Sequence, residues 1–387
     1  MATDGAVLVT GVSGFLGRMV AATLLANEGV EVVLPVRDKH APDSVAAGLK
    51  AELKAIGARP ELMERAHIVP LPPIAELDRM LPLFREFGIR EIAHCAGCLS
   101  YYNTAKLKEG NNDFTSGLLQ LGERANIRRF FYLSTAFASG LVDGVVPEAL
   151  HEGSRSDPTE YMRSKRETEW LVARSGLPYV IVRPAIVIGD SRDGRYVGKP
   201  YGLYQLWNAA EKFASQRYMP VLYAIAPRIP LQVIHQDAFQ AAFLALRRQP
   251  ANNLIAHIAG REETLPTVRD LWDLWLHNWA RPQEIYYYDR LEDVPVDDLD
   301  QDERLLVEFA AANIEISTHH WRFETRALDD LRAGGLKFPD ATVKSVELCQ
   351  RRFMADSERI QDFLAKHADK LGHQPKIFEN YAPASRA

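Results

Sequence analysis

Tyr161 and Lys165 stand four residues apart in Tyr161-Met162-Arg163-Ser164-Lys165. On a helix that spacing puts both side chains on one face. Such a pair suits proton transfer to a carbonyl oxygen. The phenol donates the proton, and the ammonium lowers a pKa that is otherwise about 10. A hydroxyl to bind the same oxygen is available in Leu133-Ser134-Thr135-Ala136-Phe137-Ala138-Ser139-Gly140, where an apolar run ends in Ser134 and Thr135. Taken alone, the Y-x-x-x-K spacing is common on solvated helix faces, and the bland account would win.

The start of the chain changes that balance. Thr10-Gly11-Val12-Ser13-Gly14-Phe15-Leu16-Gly17 follows the apolar run Ala6–Val9. Glycines at such a turn let the backbone bend tightly and let a pyrophosphate approach the amides. The helix that follows offers unpaired N–H groups and a partial positive charge. A glycine-rich stretch is a weak signal by itself, but here it sits in the strand–turn–helix context that the chemistry requires. Its spacing is G-x-x-G-x-x-G. Gly11, Ser13, Gly14, Phe15, Leu16, Gly17 and Arg18 are the candidate dinucleotide contacts. A second apolar run ends in Leu34-Pro35-Val36-Arg37-Asp38. An arginine there suits the 2′-phosphate of NADP, whereas an acidic residue would bind the ribose hydroxyl of NAD. Lys39 and Arg18 add positive charge nearby, so NADP(H) is the expected cofactor. The competing account leaves Arg37 solvated and turns Asp38 to the ribose.

These residues need a frame to hold them. Apolar runs at Ala6–Thr10, Glu31–Val36, His67–Val69, Glu91–Cys95, Arg129–Ser134 and Tyr179–Val182 alternate with helical patterns at Gly17–Asn27, Ser44–Ile56, Asn112–Ala125 and Ser156–Ser175. Alternation of this kind predicts an α/β fold of the Rossmann type, a doubly wound parallel sheet with its ligand at the carboxyl ends of the strands. After residue 190 the alternation fails. Arg192–Pro200 reads as a loop, Tyr201–Gln216 as a helix, Leu231–Ile234 and Leu254–Ile258 as strands around a helix at Asp237–Arg247. Helices at Thr267–Trp279, Leu305–Asn313 and Val343–Phe363 follow. The expected organisation is a nucleotide-binding domain of 1–190 plus about 231–260. A smaller, mainly helical substrate-binding region spans about 191–230 and 261–370, and 371–387 forms a loose tail.

The 387 residues carry 46 Lys and Arg against 51 Asp and Glu, a net charge of −5, and nothing in this favours nucleic acid. No apolar run is long enough to span a bilayer. Three cysteines and no secretion signal point to a reducing, cytoplasmic setting. Cys95 and Cys98 form a C-x-x-C pair without the second pair a metal site needs, so they read as two small semi-buried residues.

Together these residues resemble the extended branch of the short-chain dehydrogenase/reductase superfamily over about residues 5–260. The resemblance matches Thr10–Gly17 to the family's nucleotide loop and Tyr161 and Lys165 to its catalytic pair, with Lys165 also gripping the nicotinamide ribose. It selects Thr135, five residues before Gly140, as the hydroxyl donor, with Ser134 a neighbour on the cofactor. It implies that Ala96 and Gly97 in His94-Cys95-Ala96-Gly97 line the cofactor, that Asn112 is the family's helix asparagine, and that Pro184, Ala185 and Val187 flank the nicotinamide. Ser134–Gly140, Gly189-Asp190-Ser191-Arg192-Asp193-Gly194 and Gly198-Lys199-Pro200-Tyr201 are similar to stretches of the thioester reductase group, which includes fatty acyl-CoA reductases and the terminal reductase domains of carboxylic acid reductases and peptide synthetases. That likeness implies NADPH-dependent reduction of a CoA- or carrier-bound acyl thioester to an aldehyde, or onward to an alcohol. Departures from the pattern are Val69-Pro70-Leu71-Pro72 after the third strand, Thr115 in place of a glycine, and Asp193 and Lys199 in the late motifs.

Rival readings keep the fold and change the substrate. A ketone/alcohol oxidoreductase or a sugar-nucleotide epimerase or dehydratase would use the same frame. A dehydratase wants an acidic residue beside the strand-end threonine, where this chain has Ala136-Phe137, and an epimerase prefers NAD, against Arg37. A non-catalytic NADP-binding regulator would tolerate loss of Tyr161 or Lys165, yet both are present. His235 and Asp237 read as strand end and helix cap. Trp272, Trp275 and Trp279 read as helix packing, and Tyr286–Tyr288 as a strand or edge segment.

Overall fold

A computed structural model of the chain describes residues 5–27, 29–37, 41–152, 156–199, 201–214, 218–278 and 281–379. The chain forms two compact units. The first comprises Met1–Ala185, Ala238–Ala259 and Phe323–Phe338, the second Ile186–Asp237, Gly260–Arg322 and Pro339–Ala387.

The first unit is built on a seven-stranded sheet, parallel throughout. Its strands include β1 (Ala6–Thr10), β2 (Val32–Val36), β3 (Ala66–Pro70), β4 (Ile89–His94) and β5 (Arg129–Leu133), joined by Tyr179–Pro184 and Leu254–Ile258. Across the sheet the order runs Leu254–Ile258, Tyr179–Pro184, β5, β4, β1, β2, β3. Every residue of β1, β2 and β5 is buried. That matches their unbroken apolar runs, because a parallel sheet is covered on both faces. The helices are α1 (Phe15–Asn27), α2 (Pro42–Ala55), α3 (Leu81–Glu86), α4 (Thr104–Leu107), α5 (Phe114–Arg124) and α6 (Glu160–Arg174). Side-chain alternation divides the core between the two faces. Leu8, Ile92, Phe130, Tyr132 and Ile181 share a cluster with Phe84, Leu118 and Val172 from α3, α5 and α6. Phe131 points the other way, 5.7 Å from Phe243 of the helix Gln236–Arg248. Truncating a fully buried ring such as Phe130 to alanine costs about 3–5 kcal/mol.

This strand order brings the proposed site residues to one edge. β1 pairs with β2 and β4, β4 with β5, and β5 with Tyr179–Pro184. Gly11, Arg37, the turn at Ala96–Gly97 and the pair Ser134–Thr135 therefore leave adjoining strands at their carboxyl ends. Helix α6 starts at Glu160, four residues later than the pattern suggests. Thr159 sets that start: its backbone is extended and its hydroxyl accepts from Met162 N at 3.3 Å.

Residues 323–338, expected with the substrate-binding region, belong to the first unit. Glu148 explains the attachment: one carboxylate oxygen accepts from His257 N at 2.9 Å and the other from Ala327 N at 3.1 Å.

The second unit is less helical than its sequence suggests. It holds a three-stranded parallel sheet of Lys376–Glu379, Glu284–Tyr288 and Val221–Ile225, with Glu284–Tyr288 in the centre. Tyr286 stacks on Tyr223 at 5.5 Å and on Phe378 at 4.9 Å. The segment expected as a strand or edge segment is thus a strand, in the centre of its sheet, and part of the expected tail is paired with it. The helix expected over Val343–Phe363 is two, Val343–Ala355 and Glu358–Lys366, because Ser357 caps the second by accepting from Ile360 N at 3.3 Å. Trp275 is buried, and Trp272 donates its indole N–H to Ile225 O at 2.9 Å, both as packing residues. Asp38, Lys39, Pro200, Trp279 and 380–387 lie outside the described residues. Among those described, no helix is long and apolar enough to cross a membrane.

Candidate active site

The turn between β1 and α1 is a cradle with no room for side chains. Gly11 has φ of +76°, and a Cβ there would come within 2.6 Å of Ala96 N. A Cβ on Gly17 would drive into the Gly11 carbonyl. Gly14 N donates back to Gly11 O at 2.8 Å, closing the turn. Helix α1 then begins at Phe15, so the N–H groups of Phe15, Leu16 and Gly17 belong to its first turn, where a helix leaves donors unpaired. Gly14 is exposed, and Ser13, Phe15 and Leu16 are half-buried.

Arg37 follows β2 and is exposed. Arg18 lies along α2: a Cβ on Gly48 would sit 3.0 Å from its guanidinium carbon. The absence of a side chain at Gly48 therefore makes the place for that cation.

At the end of β5, Ser134 N donates to Val182 O at 2.8 Å, while the buried Ser134 Oγ has no hydrogen-bond partner. Thr135 is buried, caps a short turn by accepting from Phe137 N at 3.4 Å, and keeps its O–H for another acceptor. Helix α6 brings Lys165 to the same strand end and sets Tyr161, one turn earlier, near Tyr101 and Cys98. Lys165 is 4 % exposed; its Nζ donates to Leu133 O at 2.7 Å and lies 4.3 Å from the centre of the Tyr132 ring. Burial pulls the Lys165 ammonium down to about 7, with Glu169 and Cys95 opposing the fall. Burial pushes the half-buried Tyr161 phenol above its usual value, with Tyr101 and Cys98 adding to the rise. The expectation that Lys165 depresses the Tyr161 pKa does not hold in this structure. A buried ammonium needs an acceptor, and the Leu133 carbonyl supplies one. Tyr161 therefore stays protonated at neutral pH, which is the form a proton donor requires.

The turn after β4 passes against both groups. A Cβ on Gly97 would lie 3.1 Å from Asn111 Oδ1 and 4.0 Å from Lys165 Nζ. Asn111, rather than the expected Asn112, is the buried asparagine here. Its Oδ1 accepts from Cys98 N at 2.7 Å, and its Nδ2 donates to Ser164 Oγ at 2.9 Å. Asn112 is only half-buried and reaches Glu167 at 3.3 Å. The one-residue difference comes from a π-helical turn at Lys108–Asp113, which inserts an extra residue ahead of α5. Cys95 and Cys98 are half-buried free thiols, and burial pushes Cys95 up to about 12.

Beside Lys165, Arg183 and Glu169 form a fully buried ion pair, with Nε at 2.9 Å and Nη2 at 2.6 Å from the carboxylate. Pro184 and Ala185 are buried next along that strand, and Ala185 N donates to Ile258 O at 2.9 Å. Val187 falls in the second unit, half-buried in a short strand that pairs with Val233–His235. His235 and Asp237 are structural there. His235 bonds Gly189 O at 2.7 Å and Ser345 Oγ at 2.8 Å. Asp237 accepts from Ser191 N at 3.0 Å and Ser191 Oγ at 2.6 Å, rather than capping its own helix.

The glycine cradle, the helix start and the orphaned Ser134 hydroxyl fit a nicotinamide dinucleotide. The comparisons with known proteins agree. The family model described as the NAD dependent epimerase/dehydratase family matches residues 7–210. An isonitrile lipopeptide synthase of Streptomyces coeruleorubidus is 27% identical over 296 residues, covering 72% of this chain and 19% of that protein. This chain thus spans about a fifth of that relative's length. Among solved structures, the terminal R domain from the myxalamid PKS-NRPS biosynthetic pathway has a TM-score of 0.68 at 18% identity, covering 91% of this chain and 90% of the other. A thiolation-reductase di-domain from an archaeal non-ribosomal peptide synthetase has a TM-score of 0.64 at 17% identity, covering 95% and 76%.

Proposed function

From the premise that the chain belongs to the NAD dependent epimerase/dehydratase family and is an NAD(P)-dependent oxidoreductase of the extended short-chain dehydrogenase/reductase type, we propose that it reduces an acyl thioester to an aldehyde with NADPH. Gly11, Gly14, Gly17 and the start of α1 would hold the pyrophosphate, Arg37 and Arg18 the 2′-phosphate, and Lys165 the nicotinamide ribose. The bound nicotinamide supplies the hydride. Thr135 and Tyr161 hold the thioester oxygen, and Tyr161 gives it the proton. The resulting hemithioacetal releases the thiol and leaves the aldehyde.

The observation that carries the reading is the strand end of β5. A buried hydroxyl without a partner, a second with its O–H free, and a buried lysine meet there in a chain with the glycine cradle on the same sheet edge. Two further features favour a thioester over a sugar nucleotide. Ala136 and Phe137, both buried, put no acid beside Thr135. Leu99 and Tyr102 are 43% and 67% exposed, on a segment whose Tyr101 carbonyl accepts from Glu160 N at 2.9 Å. That apolar surface beside the start of α6 suits an acyl chain. The likeness to reductase domains of peptide synthetases supports the same substrate class, with the acyl group on CoA or on a carrier protein.

The test is NADPH oxidation across acyl-CoA thioesters, aldehydes and ketones, with free thiol titrated in parallel. Thiol release equal to NADPH loss is expected, and Tyr161→Phe should lower kcat at least about 100-fold while NADPH still binds. NADPH loss with ketones alone would move the protein to the ketone reductases.

A further inference from the structure

Behind the reacting residues runs an unbroken chain of hydrogen bonds, and its donors and acceptors order themselves. Ala96 N donates to Thr10 Oγ1 at 3.2 Å, so the Thr10 hydroxyl is left to donate onward to His94 Nδ1 at 2.7 Å. His94 therefore carries its proton on Nε2, which lies 2.9 Å from Thr115 Oγ1. Thr115 in turn donates to Asn111 O at 2.5 Å. Asn111 clamps the Cys98 peptide, accepting from its N at 2.7 Å and donating to its O at 3.3 Å, and reaches Ser164 Oγ at 2.9 Å. Ser164 is the residue before Lys165. Thr10, His94, Asn111, Thr115 and Ser164 are all buried. The chain thus ties the end of β1, where the glycine cradle begins, to the turn at 96–98, to the π-helical turn and to α6.

Two features mark this chain as more than packing. A π-helical turn is strained relative to an α-helix and persists only where something outside the ladder holds it. Here Thr115 holds the carbonyl of Asn111 within that turn. The imidazole is also kept neutral: burial, then the Lys165 charge, pull His94 down to about 3. One ring nitrogen can then accept while the other donates at neutral pH.

We propose that His94 and Thr115 are positioning residues. Thr115 locks Asn111 and, through Ser164, the register of the helix that presents Tyr161 and Lys165, while His94 joins that lock to the nucleotide cradle. The proposal rests on the proton-transfer role of Tyr161 and Lys165, and it holds for whichever carbonyl the enzyme reduces.

The two residues should therefore separate in kinetics. Thr115→Val removes the hydroxyl at constant shape. It should lower kcat about tenfold, with KM for the carbonyl substrate and Kd for NADPH within about twofold of the parent. Thr115→Ser restores the hydroxyl and should recover kcat. His94→Phe takes the imidazole partner from Thr10 as well as from Thr115, so it should weaken NADPH binding about tenfold in addition to slowing turnover. His94→Gln supplies one acceptor and one donor and should recover most of both. NADPH binding is read by protein fluorescence without substrate, so it reports on the cradle even if the substrate reading fails. Thermal melts identify variants that do not fold, and if Thr115→Val is one of them the two His94 variants carry the comparison. A Thr115→Val enzyme with parental kcat would overturn the proposal. So would Thr115→Ser as slow as Thr115→Val, or His94→Gln as impaired as His94→Phe in both readouts.

Discussion

Replacing Glu169 with glutamine should destabilise the first unit by several kilocalories while changing no shape. Arg183 and Glu169 are each completely buried, and the guanidinium meets the carboxylate through two bonds of 2.9 and 2.6 Å. Arg183 also touches His151 and His257 at 3.2 and 3.3 Å, and His257 is held neutral, pulled down to about 3 by burial and then by the Arg183 charge. Nothing else in that contact set carries a negative charge. Glu169→Gln leaves a buried cation facing an amide, and uncompensated buried charge of this kind costs about 3–5 kcal/mol. If the first unit, about 220 residues, unfolds as one block, its unfolding entropy is about 0.46 kcal/mol per degree, so Tm should fall by about 7–11 °C. Differential scanning calorimetry at pH 7 without nucleotide reads this directly. The pair replaced by apolar side chains, Glu169→Leu with Arg183→Met, should lose less than Glu169→Gln alone, because no charge is left stranded. A Glu169→Gln protein melting within about 2 °C of the parent would refute the stranded-charge reasoning. So would a double variant that melts lower than the single one.

Other outcomes follow from the same geometry. Arg37→Ala should raise KM for NADPH about tenfold and leave KM for NADH nearly unchanged, as steady-state assays with the two nucleotides will read. Gly17→Ala should abolish NADPH binding by fluorescence titration, since the added methyl meets the Gly11 carbonyl. Acid should destabilise the protein through two of its buried histidines. His94 and His257 refuse a proton in the folded state until about pH 3, whereas the unfolded chain accepts one from about pH 6.5. Stability then falls with acidification by up to about 1.4 kcal/mol per pH unit for each, measured as urea midpoints between pH 7 and pH 4. His94→Gln should remove one of those two contributions.

The first unit was legible because its strands are unbroken apolar runs closed by glycine, and because its site residues follow strand ends in chain order. Ala6–Thr10 and Leu254–Ile258 have the bounds their composition suggests. Asn111 was hidden, since a π-helical turn shifts the register by one and leaves no mark in the periodicity around Asn112. The His94–Thr115 contact was hidden too. Thr115 looked like a departure from a pattern, and its partner lies on a strand 21 residues earlier. In the second unit, Val221–Ile225, Glu284–Tyr288 and Lys376–Glu379 find one another across some 60 to 90 residues of intervening chain, and nothing local signals such a pairing. Lys165 shows where residue types alone mislead. The pattern puts its charge at the service of Tyr161, while burial gives that charge a carbonyl to hold.

The return of residues 323–338 to the first unit matters for how the protein is made. The ribosome delivers the last strand of the seven-stranded sheet at Ile258, yet the Ala327 N that bonds Glu148 arrives about 70 residues later. At ordinary elongation speeds that is a wait of roughly 3.5–14 s. During it the nascent sheet carries a carboxylate with one of its two oxygens still waiting for its partner, and the uncovered ring of Phe137, which later meets Phe323 at 5.8 Å. The protein must therefore spend part of its synthesis as a nearly complete sheet with one open flank, and that interval is when a chaperone has something to hold.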